Sequence, residues 1–107
     1  MKLILAIVNK EDSNTVSTEL TNGGFSVTKL ATTGGFLMAG NMTLIIGTQA
    51  DKVDEVIALI EKHAKKRTEV VPSTTSYGIG VTTAYPVEVA VGGATIFVLD
   101  VERFEKV

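Results

Sequence analysis

The segment Thr-Lys-Leu-Ala-Thr-Thr-Gly-Gly-Phe-Leu-Met-Ala-Gly-Asn, from Thr28 to Asn41, gathers the residue types from which a ligand site can be built. Gly34 and Gly35 let the backbone turn through positive φ and bring its N–H groups close to another molecule. Thr28, Thr32 and Thr33 add hydroxyls, while Phe36 and Leu37 add apolar walls, Phe36 a flat one. Six of the ten glycines fall between Gly23 and Gly47, so the clustering is local and needs a local reason. The mixture suits a phosphate attached to a planar base. It does not suit turnover, because the stretch holds no Asp, Glu or His to move a proton or hold a metal.

The elements that must position this segment can be read from periodicity. Lys2 to Val8 is nearly continuous in Leu, Ile and Val, as in a short strand buried on both faces. A helix follows, with Asp12 or Ser13 as N-cap, Val16 and Leu20 on one face, and Asn22-Gly23-Gly24 as its stop. Phe25 to Ala31 alternates as a second strand, with Phe25, Val27 and Lys29 on one face and Ser26, Thr28 and Leu30 on the other. Met42 to Gly47 is the third strand, antiparallel to the second. In the next helix Asp51 is the expected cap, and Val53, Val56, Ile57, Ile60 and Ala64 form the apolar stripe. Lys62, Lys65, Lys66 and Arg67 then complement its C-terminal dipole. Tyr85 to Val91 and Ala94 to Val101 read as a hairpin turning at Gly92-Gly93. Between them and the helix, the Ser/Thr/Gly-rich stretch 68–84 reads as a long flexible loop whose first residues form at most a short strand.

This order, β-α-β-β-α-β plus one strand, predicts an α+β fold of the ferredoxin-like split βαβ type in a single domain over residues 1–107. Two helices then cover one face of an antiparallel sheet. The other face is also apolar, and oligomerisation is the economical way to hide it. Charged residues at 21% and hydrophobic ones at 45% fit a folded soluble domain. The longest early apolar run is too short to span a bilayer, so no membrane insertion and a cytoplasmic location are expected. With no cysteine and one histidine, His63, read as solvated, thiolate and histidine metal sites have little to work with. A net charge of −2 argues against general nucleic-acid binding.

Leu30-Ala31-Thr32-Thr33-Gly34-Gly35-Phe36-Leu37, Gly40-Asn41, Thr43 and Gly47 form one motif, and Pro86-Val87-Glu88-Val89 with Val91-Gly92-Gly93-Ala94-Thr95-Ile96-Phe97-Val98-Leu99 forms a second. Together they resemble the PII-like cyclic di-AMP receptor proteins of Gram-positive bacteria, and the resemblance runs over essentially the whole chain. It implies a non-enzymatic homotrimer that binds cyclic di-AMP in the clefts between subunits, needs no cofactor or metal, and signals to a downstream protein through its long loops. On that basis Gly34, Gly35, Phe36 and Thr28 face phosphate, and Phe36, Leu37 and Phe97 form the purine walls. Asn41 has the donor and acceptor that pair with an adenine edge. Val27, Gly47 and Gly92 then lie near the ligand through backbone approach. Where family members carry a polar and a basic residue just before Thr28, this chain has Gly24 and Ser26, and Lys106 replaces an amide near the C-terminus. Lys29 or Lys106 is the expected substitute cation. Two other classes fit less well: a conventional PII regulator of ATP and 2-oxoglutarate, and an interaction or metal-tolerance trimer without a nucleotide.

Overall fold

The computed structural model describes residues 1–30, 40–74 and 84–107. Ala31–Ala39, with Gly34, Gly35, Phe36 and Leu37, and residues 75–83 lie outside the described residues. The elements run β1 (Lys2–Asn9), α1 (Lys10–Asn22), β2 (Val27–Leu30), β3 (Asn41–Thr48), α2 (Val53–Ala64), β4 (Arg67–Thr74), β5 (Ala84–Val91) and β6 (Ala94–Asp100), with a 3-10 turn at Ala50–Lys52. Four strands form an antiparallel sheet in the order β2-β3-β1-β6, and β4 and β5 pair separately as a two-stranded arm.

Alternation along the strands decides which face is buried. Ile4, Ala6 and Val8 of β1 and Leu44 and Ile46 of β3 point under the helices and meet Val16 and Leu20 of α1 and Val56, Ile60 and Ala64 of α2. All ten are essentially inaccessible to water, and each larger aliphatic side chain contributes about 1.5–3 kcal/mol by leaving it. The alternate positions, Leu3, Leu5 and Ile7 in β1 and Thr43 and Ile45 in β3, turn to the opposite face. Among the described elements, none packs over that face.

Five expectations are corrected. α1 begins at Lys10, because the side-chain oxygen of Asn9 accepts the Glu11 N–H at 3.3 Å; Asp12 and Ser13 therefore lie inside the first turn, buried, and are not caps. Asp51 lies in the 3-10 turn that leads into α2 and caps nothing. Residues 67–74 are a full strand paired with β5, not the start of a loop. Gly92-Gly93 is not a hairpin turn, since β5 pairs with β4 and β6 pairs with β1. The physical reason is visible at the turn. Gly92 and Gly93 sit at φ 82° and 87°, and the Gly93 N–H donates to the Ala64 carbonyl at the end of α2. The two glycines carry the chain past that helix end from the arm to the main sheet. His63 is also less solvated than expected, with its side chain 20% exposed and Nε2 3.9 Å from Glu19 of α1.

Candidate functional site

Register places Thr28 beside Ile45, Ile45 beside Leu5, and Leu5 beside Phe97, so these four form one row across the uncovered face. Thr28 lies on one edge strand and Phe97 on the other. Three strand spacings put them about 14 Å apart. Both are exposed, Phe97 at 52%, and Leu30 and Leu99 on the same face are 47% and 44% exposed. The row is a polar edge at Thr28, an aliphatic middle and an aromatic edge at Phe97. Val27 is on the opposite face, opposite Ile46 and packed against the core, so only its backbone is available to a ligand.

The two ends of the sheet hold the remaining candidates. At one end Asn41 and Gly92 line a cleft of about 270 Å³ together with Asn9, Thr95 and Lys66. At the other, Gly47 lines a separate cleft of about 330 Å³ with Gly24, Phe25 and Ser26, which are the positions just before Thr28. Six residues of extended strand separate Asn41 from Gly47, about 20 Å. Within one chain, then, Asn41 and Gly92 come together, while Thr28, Gly47 and Phe97 stand apart from them and from each other.

Gly92 is fixed by its surroundings. A Cβ there would stand 2.6 Å from both the Lys65 carbonyl oxygen and Arg67 Nη1, and φ is positive as well, so only glycine fits. Arg67 itself is engaged. Its Nη2 is 2.9 Å from Asp12 Oδ1, Nη1 donates to Asp12 Oδ2 and the Lys65 carbonyl at 3.3 Å each, and Nε reaches Glu69. Hydrogen bonding to Asp12 is the main reason its guanidinium holds its proton even more tightly than usual.

Charge is distributed differently from the sequence expectation. Lys29 lies opposite Leu44 in register and its Nζ donates to Asn14 of α1, so it is directed to the helix side and not to the uncovered face. Among the described residues, Lys66 is the one cation lining the Asn41/Gly92 cleft. By sequence alone it belongs to the α2 dipole, and Asn9 and Thr95, the latter quoted only within the second motif, carry no role of their own; the signal that could find them is their adjacency to Asn41 and Gly92, which requires knowing that β1 separates β3 from β6. At the far end Lys2 bonds Asp100 across β1 and β6, and this holds the Asp100 carboxyl below its ordinary range. Among the described residues no cluster of three or more His, Cys, Asp or Glu could hold a metal ion, and no helix is long and apolar enough to cross a membrane.

What the geometry defines is a small α+β domain with two helices on one face of an antiparallel sheet and candidate ligand residues distributed around the other. A family described as cyclic-di-AMP receptor matches residues 1–107, the whole length, and the chain belongs to that family. The crystal structure of a functionally unknown protein from Pediococcus pentosaceus ATCC 25745 is similar over 99% of this chain and 96% of that one, at 40% identity and a TM-score of 0.77. Binding of cyclic di-AMP in signal transduction is the role that membership carries.

Proposed function

We propose that this protein is a cytoplasmic, non-enzymatic receptor that binds cyclic di-AMP in the clefts between subunits of a homotrimer and passes occupancy to a protein target through the β4–β5 arm. The sheet order β2-β3-β1-β6, with both helices as crossovers on one side, favours the ferredoxin-like arrangement as its frame. The observation that carries the proposal is the division of the site. Thr28 and Phe97 occupy opposite edge strands of one apolar face that no described element covers. One copy cannot close both edges around a ligand. Bringing the β2 edge of one copy to the β6 edge of the next joins them, and a head-to-tail contact of that kind closes into a ring. Three is the number that the family resemblance implies.

In such a cleft each ligand part meets suitable chemistry. The phosphates take the hydroxyl of Thr28 and backbone N–H groups of the Gly34-Gly35 segment. The adenines lie against Phe36, Leu37 and Phe97, and Asn41 reads an adenine edge. Gly47 and Gly92 allow close approach of backbone. The arm leaves the molecule beside Gly92, at the same end as Asn41, so occupancy and arm are neighbours.

Thermal shift with cyclic di-AMP, cyclic di-GMP, ATP with 2-oxoglutarate, and divalent metals tests this. A ligand at a hundred times its Kd stabilises the native state by about 2.7 kcal/mol, a rise of about 10 °C or more in Tm for a domain of this size. The expected result is a rise with cyclic di-AMP alone. A response to ATP with 2-oxoglutarate and none to cyclic di-AMP would replace the proposal with a conventional PII regulator.

A further inference from the structure

We infer that the Asp12–Arg67 ion pair is the link through which occupancy of the Asn41/Gly92 cleft sets the position of the β4–β5 arm; this rests on the receptor reading above. Both strands of the arm are tied at one point. Arg67 opens β4 and stands opposite Val91, the last residue of β5. Its guanidinium grips both carboxylate oxygens of Asp12, at 2.9 and 3.3 Å, and also the Lys65 carbonyl at the end of α2. Two parallel bonds fix the plane of the guanidinium, where one would leave it free to swing. On the other strand, Gly92 lies against that same guanidinium and the Gly93 N–H is bonded to Ala64. Root and return of the arm are therefore fastened to α1 and α2 by one arginine and two glycines.

The same point touches the ligand segment. Asp12 is in the first turn of α1, and the Lys10 N–H of that turn donates to the carbonyl of Gly40, which leads into Asn41. The chain of contacts runs Asn41, Gly40, Lys10, Asp12, Arg67, arm. On the other side it runs Gly92 to Arg67 directly. A ligand that pulls on Gly40-Asn41 or presses on Gly92 thus acts on the two partners of the clamp. The Asp12 side chain is only 9% exposed, so its charge needs Arg67, whereas Arg67 is 40% exposed and has water to turn to. The pair can consequently open from the arm side.

Hydrogen exchange of the full-length protein, with and without saturating cyclic di-AMP, tests the link. In the wild type, ligand is expected to slow exchange of the arm amides in Arg67–Thr74 and Ala84–Val91. In Asp12→Asn and Arg67→Gln the apo arm should exchange about tenfold faster, and the ligand-dependent slowing should disappear, while Kd from calorimetry stays within about tenfold, the size of an ordinary coupling effect. The double variant should be no worse than either single one. Ligand-dependent protection of the arm that persists in both variants overturns the inference and leaves the receptor reading intact. So does a loss of affinity beyond a hundredfold, which would put Asp12 in the binding site. A wild type that binds no cyclic di-AMP defeats the receptor reading itself, and the inference with it.

Discussion

Phe97 is half-exposed on an uncovered strand face, an unusual place for a phenylalanine unless something flat is to be laid on it. Phe97→Ala is expected to weaken cyclic di-AMP binding about tenfold or more by calorimetry, with each subunit still folded because Phe97 is not part of the buried core. Asn41→Ala removes a paired donor and acceptor and should cost roughly 1–3 kcal/mol of binding. Lys66→Ala should weaken binding about tenfold at low salt and much less at high salt, as expected when one charge-assisted contact is lost; equal loss at both would assign Lys66 a packing role. These residues differ in how legible they were. Asn41 stands out by type, since an amide beside a glycine-rich loop has few other uses, whereas Phe97 by type alone reads as a core residue and only the family resemblance makes it a base wall. Lys66 does not stand out, because a lysine at a helix end is already accounted for by the dipole, and only the fold brings it to Asn41. Val27 was legible as a strand residue but its side chain belongs to the core, as alternation with Thr28 requires. The Lys2–Asp100 pair makes a small prediction of its own. Lys2 lowers the Asp100 carboxyl, so its stabilisation is present above the ordinary aspartate range and is lost as pH falls through the depressed value. Asp100→Asn should therefore lower urea stability slightly at pH 7 and not at all in strong acid.

At the scale of elements, both helices and every strand but β4 were readable because each carries its own periodicity, and Ile4, Ala6, Val8 against Leu3, Leu5, Ile7 is a plain example. The partner of each strand was not readable in the same way. Gly92-Gly93 between two alternating strands satisfies every local rule for a hairpin, yet β5 pairs with β4 and β6 with β1. Local sequence states that the chain turns; what it turns towards is decided by the Ala64 carbonyl and by Arg67, far away in sequence. Gly92→Ala is expected to destabilise the protein by several kcal/mol in urea unfolding, because positive φ and a 2.6 Å approach to backbone act together. The arm also has a built-in guard. Pro72 and Pro86 are directly opposed, and neither has an N–H to offer a further strand. Replacing both with Val restores those donors and should promote arm-to-arm association, seen as growth of larger species in size-exclusion chromatography.

On the scale of the whole molecule, one sheet face is closed by α1 and α2 and the other is left with Leu3, Leu5, Ile45, Phe97 and Leu99. That imbalance was legible from the sequence, because two helices cannot cover both sides of an apolar sheet. Leu5→Asp puts a charge in the middle of the uncovered row and should leave a folded monomer in place of the proposed trimer, as read by light scattering. Since the candidate residues are split between the edges of the sheet, the account stands on assembly and ligand together. The direct test is calorimetric titration of cyclic di-AMP into protein whose mass is measured in the same buffer. The account predicts a mass three times the 11.3 kDa of one chain and saturation at one ligand per chain. A protein that takes up the ligand as a monomer, or a trimer that gives no saturable heat, would contradict it.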